Sequence, residues 1–297
     1  MTGGRAFVTI AVVHEPQIHW FSDPAVLAPL ALLGGVYVWR FRDARREAGG
    51  RGASALQAAA FGGAMLALLA ALVSPIEGIG DDYLFSAHMV QHLLLGDIAP
   101  LLLLLSLTRV MMRPATRRLT RIERGLGPLA SPATAIVLWL GLMYLWHVPA
   151  LYDAATEHAG IHGLEHVCFF AAGIALWWPL IQPVPMRRSL TGMQPLGYIG
   201  AAKAGLAALG IYLAWASTAI YPYYEHTPRI WGLTPVEDQN IGGAVMLAEQ
   251  SITLVLVMVA VFVRMLARSE EEERRRERLE EAEAASPKAG SAAGAPR

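Results

Sequence analysis

The chain has 297 residues, 55% of them hydrophobic and 16% charged, with a mean hydropathy of +0.40. Soluble domains carry about 25% charged residues, so a membrane protein is the leading class before any segment is considered. The 24 Lys and Arg balance 24 Asp and Glu, and this neutral total singles out no partner, nucleic acid included. A single cysteine, Cys168, excludes an intramolecular disulfide and any CxxC thiolate site, so metal chemistry here must rest on His, Met and carboxylates.

Residues 1–23 read as an outer N-terminal segment. Arg5 and the apolar run Phe7 to Val13 imitate a signal peptide, but no small-residue cleavage pattern follows, so the segment is expected to be retained. A polytopic helical membrane domain is expected over 24–267. Crossing a bilayer takes roughly 17 to 25 apolar residues, and seven such runs occur at about 24–41, 54–73, 84–107, 133–151, 161–182, 195–219 and 241–267. A short polar turn, Asp153 to Gly160, separates the fourth and fifth. The fold class is therefore an all-α membrane bundle of about seven transmembrane helices.

Arginines set the expected orientation. Arg40, Arg42, Arg45, Arg46 and Arg51 follow the first run, and Arg109, Arg113, Arg117, Arg118, Arg121 and Arg124 follow the third. Arg187 and Arg188 follow the fifth, and Arg264 and Arg268 the seventh. The alternate connections are poor in basic residues, which places the N-terminus outside and the C-terminus in the cytoplasm. Residues 268–297 then read as a charged cytoplasmic helix, in which Glu270 to Glu273 precede Arg274 to Arg276 at helical spacing, followed by a disordered tail.

On this topology all nine histidines lie outside or at the outer ends of spans. His88 and His92 open the third span and share one helical face; His162 and His166 do the same on the fifth, and His147 closes the fourth. Imidazole is the commonest metal-ligand side chain, so His88, His92, His147, His162 and His166 are the candidate ligands of one metal site. Gln91, Glu165, Glu249 and Asp238 are candidates to orient ring nitrogens or neutralise charge around it, with Met143 and Met246 as soft neighbours. His14, His19, His158 and His226 read as hydrogen-bonding residues of the interface. Asp97 and Lys203 lie at membrane depth away from the histidine layer and are expected to form a structural charge pair.

Four stretches resemble a known family: His88-Met89-Val90-Gln91-His92 with Ala99-Pro100; Trp146 to Ala155; His162 to Phe170 with Trp177-Trp178-Pro179; and Asp238 to Met246. Together they are similar to the multi-spanning CtaG-type cytochrome c oxidase assembly factors over about residues 20–267. The resemblance implies a non-enzymatic role in maturing a respiratory haem-copper oxidase, with copper as cargo and oxidase subunits and membrane lipid as partners. It also implies a bacterial plasma or inner membrane as the location. Three other readings of the same residues stand beside it. The histidines could be axial ligands of haem, Glu165 could be the general base of a metal-dependent membrane enzyme, or Asp97 and Lys203 could line a transport path.

Overall fold

The computed structural model describes residues 20–285. Arg5, the run Phe7 to Val13, His14, His19 and the tail from residue 286 lie outside the described residues. All regular structure among the described residues is helical. Among the described residues, six helical segments are long and apolar enough to cross a membrane, or seven if one bent pair counts as a single span.

Helix α1 (Pro24–Ala48) starts where Asp23 accepts a hydrogen bond from the Ala25 amide (2.7 Å) and Pro24 supplies a preset φ at the first helical position. It runs past the expected end at residue 41 into the arginines. Helix α2 (Ala55–Leu72) is followed by the short α3 (Pro75–Asp82), which Ser74 and Pro75 initiate. Next, α4 (Phe85–Leu93), a π-helical turn (Leu94–Ile98) and α5 (Ala99–Ser106) form one continuous segment. The π turn admits close contact with a later helix, since a Cβ on Gly173 would strike the Gly96 carbonyl oxygen. Glycine at 173 is therefore a packing requirement rather than a turn signal.

The fourth span departs from the sequence expectation. The polypeptide after α5 forms α6 (Arg109–Leu126) and then α7 (Pro132–Trp146), bent by 79° from one another, and α7 has only 15 residues. The run expected to end at 151 is broken at His147-Val148. Pro149 pushes Val148 into an extended conformation (φ −67°, ψ 124°) and begins a new helix, α8 (Pro149–Glu157). The polar turn expected over Asp153 to Gly160 is consequently largely helical. Helices α9 (Ala159–Ile181) and α10 (Gln194–Ala214) follow. The sixth run ends earlier than expected, and residues 215–234 form an irregular connection containing α11 (Tyr223–His226). The last helix, α12, spans Pro235–Ala285.

Two compact units are distinguished, Met1–Ile252 and Thr253–Arg297. The second contains the charged stretch, where Arg274 pairs with Glu270 one turn earlier (3.4 Å). Within the first, the connecting segments sort to two ends. Arg40 of α1 donates to the Met111 carbonyl of α6, Thr108 to the Gly52 carbonyl, and the Arg187 amide to Glu123, gathering the arginine-bearing segments. At the other end Tyr224 of α11 donates to the Gly80 carbonyl of α3 (2.7 Å), and the Tyr152 hydroxyl of α8 lies 3.2 Å from that of Tyr224. Burial pushes the Tyr224 phenol well above its ordinary pKa, so it remains a donor in this contact.

Candidate metal centre

Three helices at the histidine end position the candidate site. The first is α4. Its leading amides, orphaned like those of every helix N-terminus, donate to one carboxylate from α12: Phe85 N to Asp238 Oδ2 (2.6 Å) and Ser86 N to Asp238 Oδ1 (3.1 Å). Asp238 thus caps the helix that carries His88 and His92, and its hydrogen bonds among the described residues go to that backbone and not to the rings. The second is α9, on which His162, Glu165, His166 and Phe169 are buried while Leu164 and Val167 are exposed. Such a helix turns its polar face inward and its apolar face to lipid. The third is α3, where a Cβ on Gly80 would meet the His88 backbone at 2.9 Å. That close approach carries Glu77 and Asp81 up to the histidines.

The rings of α4 and α9 interlock. Centroids are 4.0 Å apart for His88–His92 and 4.1 Å for His162–His166 within the helices, and 5.4 Å for His88–His162 and 5.9 Å for His92–His166 between them. Glu165 Oε1 lies 3.7 Å from His92 Nε2. One ligand atom from each of His88, His92, His162 and Glu165 lies within 4.8 Å of the other three. All four residues are buried, with His88 and Glu165 at 0% exposure. Among the described residues, the Nε2 atoms of His88, His92 and His162 and both carboxylate oxygens of Glu165 have no hydrogen-bond partner.

Buried donors and acceptors without partners cost roughly 1–3 kcal/mol each, and the great majority in native proteins are satisfied. A bound cation would satisfy this set at once. Ligand atoms at about 2.0–2.1 Å around a tetrahedral ion are about 3.4 Å apart, so small side-chain movements would close the group. Imidazole with one carboxylate suits Cu and Zn ions, and the carboxylate offsets charge in a low-dielectric site.

The remaining candidates are placed as follows. His166 packs against His92 and His162, but its ring nitrogens fall outside the four-residue ligand group. His147 ends α7, with Nδ1 2.7 Å from the Met143 carbonyl oxygen and Nε2 buried without a partner. With His92, Met143, Met246, Asp97 and Gln250 it lines a cavity of about 20 Å³, the volume one water-sized occupant needs. Gln91 donates to the Ala71 carbonyl of α2 (3.0 Å) and so braces α4 rather than a ring nitrogen. Glu249 lies 3.4 Å from Lys203 Nζ, on the charge-pair side. Lys203 is paired with Asp97, which also accepts from Trp177 Nε1 (2.8 Å). His158 and His226 are exposed, each with Nδ1 facing a carbonyl four residues back.

Asp81 was missed as a site residue. Its two carboxylate oxygens each lie 3.4 Å from an Nδ1, one of His88 and the other of His162, so a single carboxylate spans α4 and α9. His88 Nδ1 and Asp81 Oδ1 form no hydrogen bond at this separation; a small approach would let the carboxylate orient the imidazole and leave Nε2 for a metal. A signal existed in the chain: Glu77 and Asp81 repeat the four-residue spacing of the histidine pairs, directly after the Ser74-Pro75 helix start.

Comparison with known proteins bears on the same region. The chain is 26% identical over 259 residues to an uncharacterized protein of Mycobacterium leprae, covering 81% of this chain and 38% of that protein. It is 27% identical over 192 residues to uncharacterized proteins of Mycobacterium bovis and Mycobacterium tuberculosis, covering 60% of this chain and 29% of each. The chain thus spans about a third of the length of the curated relatives it matches. No solved structure matches it. The pattern of the cytochrome c oxidase caa3 assembly factor family (Caa3_CtaG) matches residues 35–268, a stretch that includes every candidate ligand above, and the chain belongs to that family.

Proposed function

We propose that this chain holds a copper ion between α4 and α9 and passes it to the haem-copper oxidase whose assembly its family serves. The observation that carries the reading is the buried group His88, His92, His162 and Glu165, whose unpartnered donor atoms converge. Copper is the cargo. In either common oxidation state it accepts imidazole, and the thioethers of Met143 and Met246 beside His92 favour Cu(I). His147 and His166, adjoining but outside the group, are positioned to take over as ligands while the ion enters or leaves.

The arginine distribution supports an outward-facing histidine end in a bacterial cell membrane, the side from which an ion would be loaded without crossing the lipid. Delivery requires binding and release, and no bond-making step is assigned to the protein. Oxidase subunits are the proposed partners.

Metal analysis of the purified protein tests the site: the wild type is expected to retain copper that the H88A/H92A double variant lacks. Cells carrying H162A/H166A should make the oxidase polypeptides and accumulate this protein normally, yet contain oxidase short of copper and activity. Normal oxidase copper in that variant would refute delivery through these residues. A Soret band in the wild-type preparation would assign the histidines to haem instead.

A further inference from the structure

Ligand atoms of Glu77, Asp81 and His162 also lie within 4.8 Å of one another, and His162 is common to this group and the inner one. The two carboxylates are half-buried, and the Asp81 side chain is 26% exposed against 1% for Glu165, so the α3 group is nearer the surface. Two features set it apart from a solvated acidic cluster. Glu77 Oε2 is buried without a partner, and His162, at 7% exposure, keeps an unpartnered Nε2. No contact ties Glu77 to His88, His92 or Glu165 among the ion pairs and hydrogen bonds of the described residues.

We infer that Glu77, Asp81 and His162 form an outer subsite that takes a divalent transition-metal cation ahead of the inner group, with His162 as the ligand shared by both. Two carboxylates and one imidazole make a harder donor set than three imidazoles and one carboxylate, and harder sets suit ions arriving hydrated. Handover is then ligand exchange. The Glu77 and Asp81 bonds break as bonds to His88, His92 and Glu165 form, His162 holds throughout, and no electron moves. Asp81, beside Nδ1 of both His88 and His162, remains next to these two rings throughout. The inference rests on the inner group binding an ion.

The test uses the full chain in detergent with Cu²⁺ as the probe. E77Q is expected to slow loading of the inner group tenfold or more in stopped flow while final occupancy stays within twofold of wild type. The H88A/H92A variant should retain weaker Cu²⁺ binding, with one imidazole nitrogen detected by pulsed EPR, and H88A/H92A/E77Q should lose it. Loading of E77Q at the wild-type rate, or equal Cu²⁺ binding by the double and triple variants, overturns the subsite. If E77Q fails to accumulate, the pulsed EPR of H88A/H92A decides, since two or more coupled imidazoles overturn the assignment. A wild type that binds no ion sinks the delivery reading together with this inference. A wild type that binds an ion but is indifferent to E77Q sinks the inference alone.

Discussion

Asp97 and Lys203, 106 residues apart in the chain, meet as an ion pair inside the bundle, with 2% and 1% of their surfaces exposed. The pair is enclosed by aromatic surface: Lys203 Nζ lies 5.4 Å from the ring centres of both Trp139 and Trp177, and the Trp177 indole donates to Asp97. Glu249 approaches the same ammonium at 3.4 Å. A lysine with two carboxylates and two indoles around it is held from several sides, and the converging group His88, His92, His162 and Glu165 lies on α4 and α9.

That arrangement predicts strong non-additivity. K203M strands the buried Asp97 carboxylate and should cost about 3–5 kcal/mol, whereas D97N leaves Lys203 facing Glu249 at 3.4 Å and should cost less. The D97N/K203M double variant should cost less than K203M alone. Denaturant or thermal unfolding of the four proteins in detergent measures the coupling, and additive losses would refute a structural pair.

Asp238 predicts a different coupling, from one helix to the ligands of another. D238A removes the acceptor for the Phe85 and Ser86 amides, and loss of such a cap costs about 0.5–2 kcal/mol. Because His88 lies within a turn of those amides, copper affinity should fall along with stability. D238N should recover part of both, since one side-chain oxygen still accepts. Isothermal titration with copper beside a melting curve separates this from an unrelated surface effect, for which affinity would stay unchanged.

Orientation is predicted from charge. With Cys168 replaced by Ala, a cysteine at Glu225 near the histidine end should react with a membrane-impermeant maleimide added to intact cells. A cysteine at Arg118 on α6 should react only after lysis. The reverse pattern would place the histidine end in the cytoplasm and remove the argument for loading from outside.

Hydropathy and the spacing of arginines and histidines are one-dimensional signals, and they were legible without coordinates. The apolar runs appear as helices because lipid leaves the backbone few other ways to satisfy its polar groups. The faces shared by His88 with His92, and by His162 with Glu165 and His166, follow from 3.6 residues per turn. What local periodicity cannot encode is which face meets which. The break at Pro149 was visible as a residue but not as the end of a span, because proline inside apolar runs is also tolerated as a kink. Glu77 and Asp81 lie in one of the connections poor in basic residues, and only the packing of α3 against His88 through Gly80 brings them to the histidines. Glu165, expected to orient ring nitrogens, lies 3.7 Å from His92 Nε2 and offers one carboxylate oxygen to the converging group, while His147 lines the cavity beside Met143. These assignments turn on shifts of a few ångströms between helices, set by backbone contacts such as Gly173 against Gly96 that arise when distant segments pack.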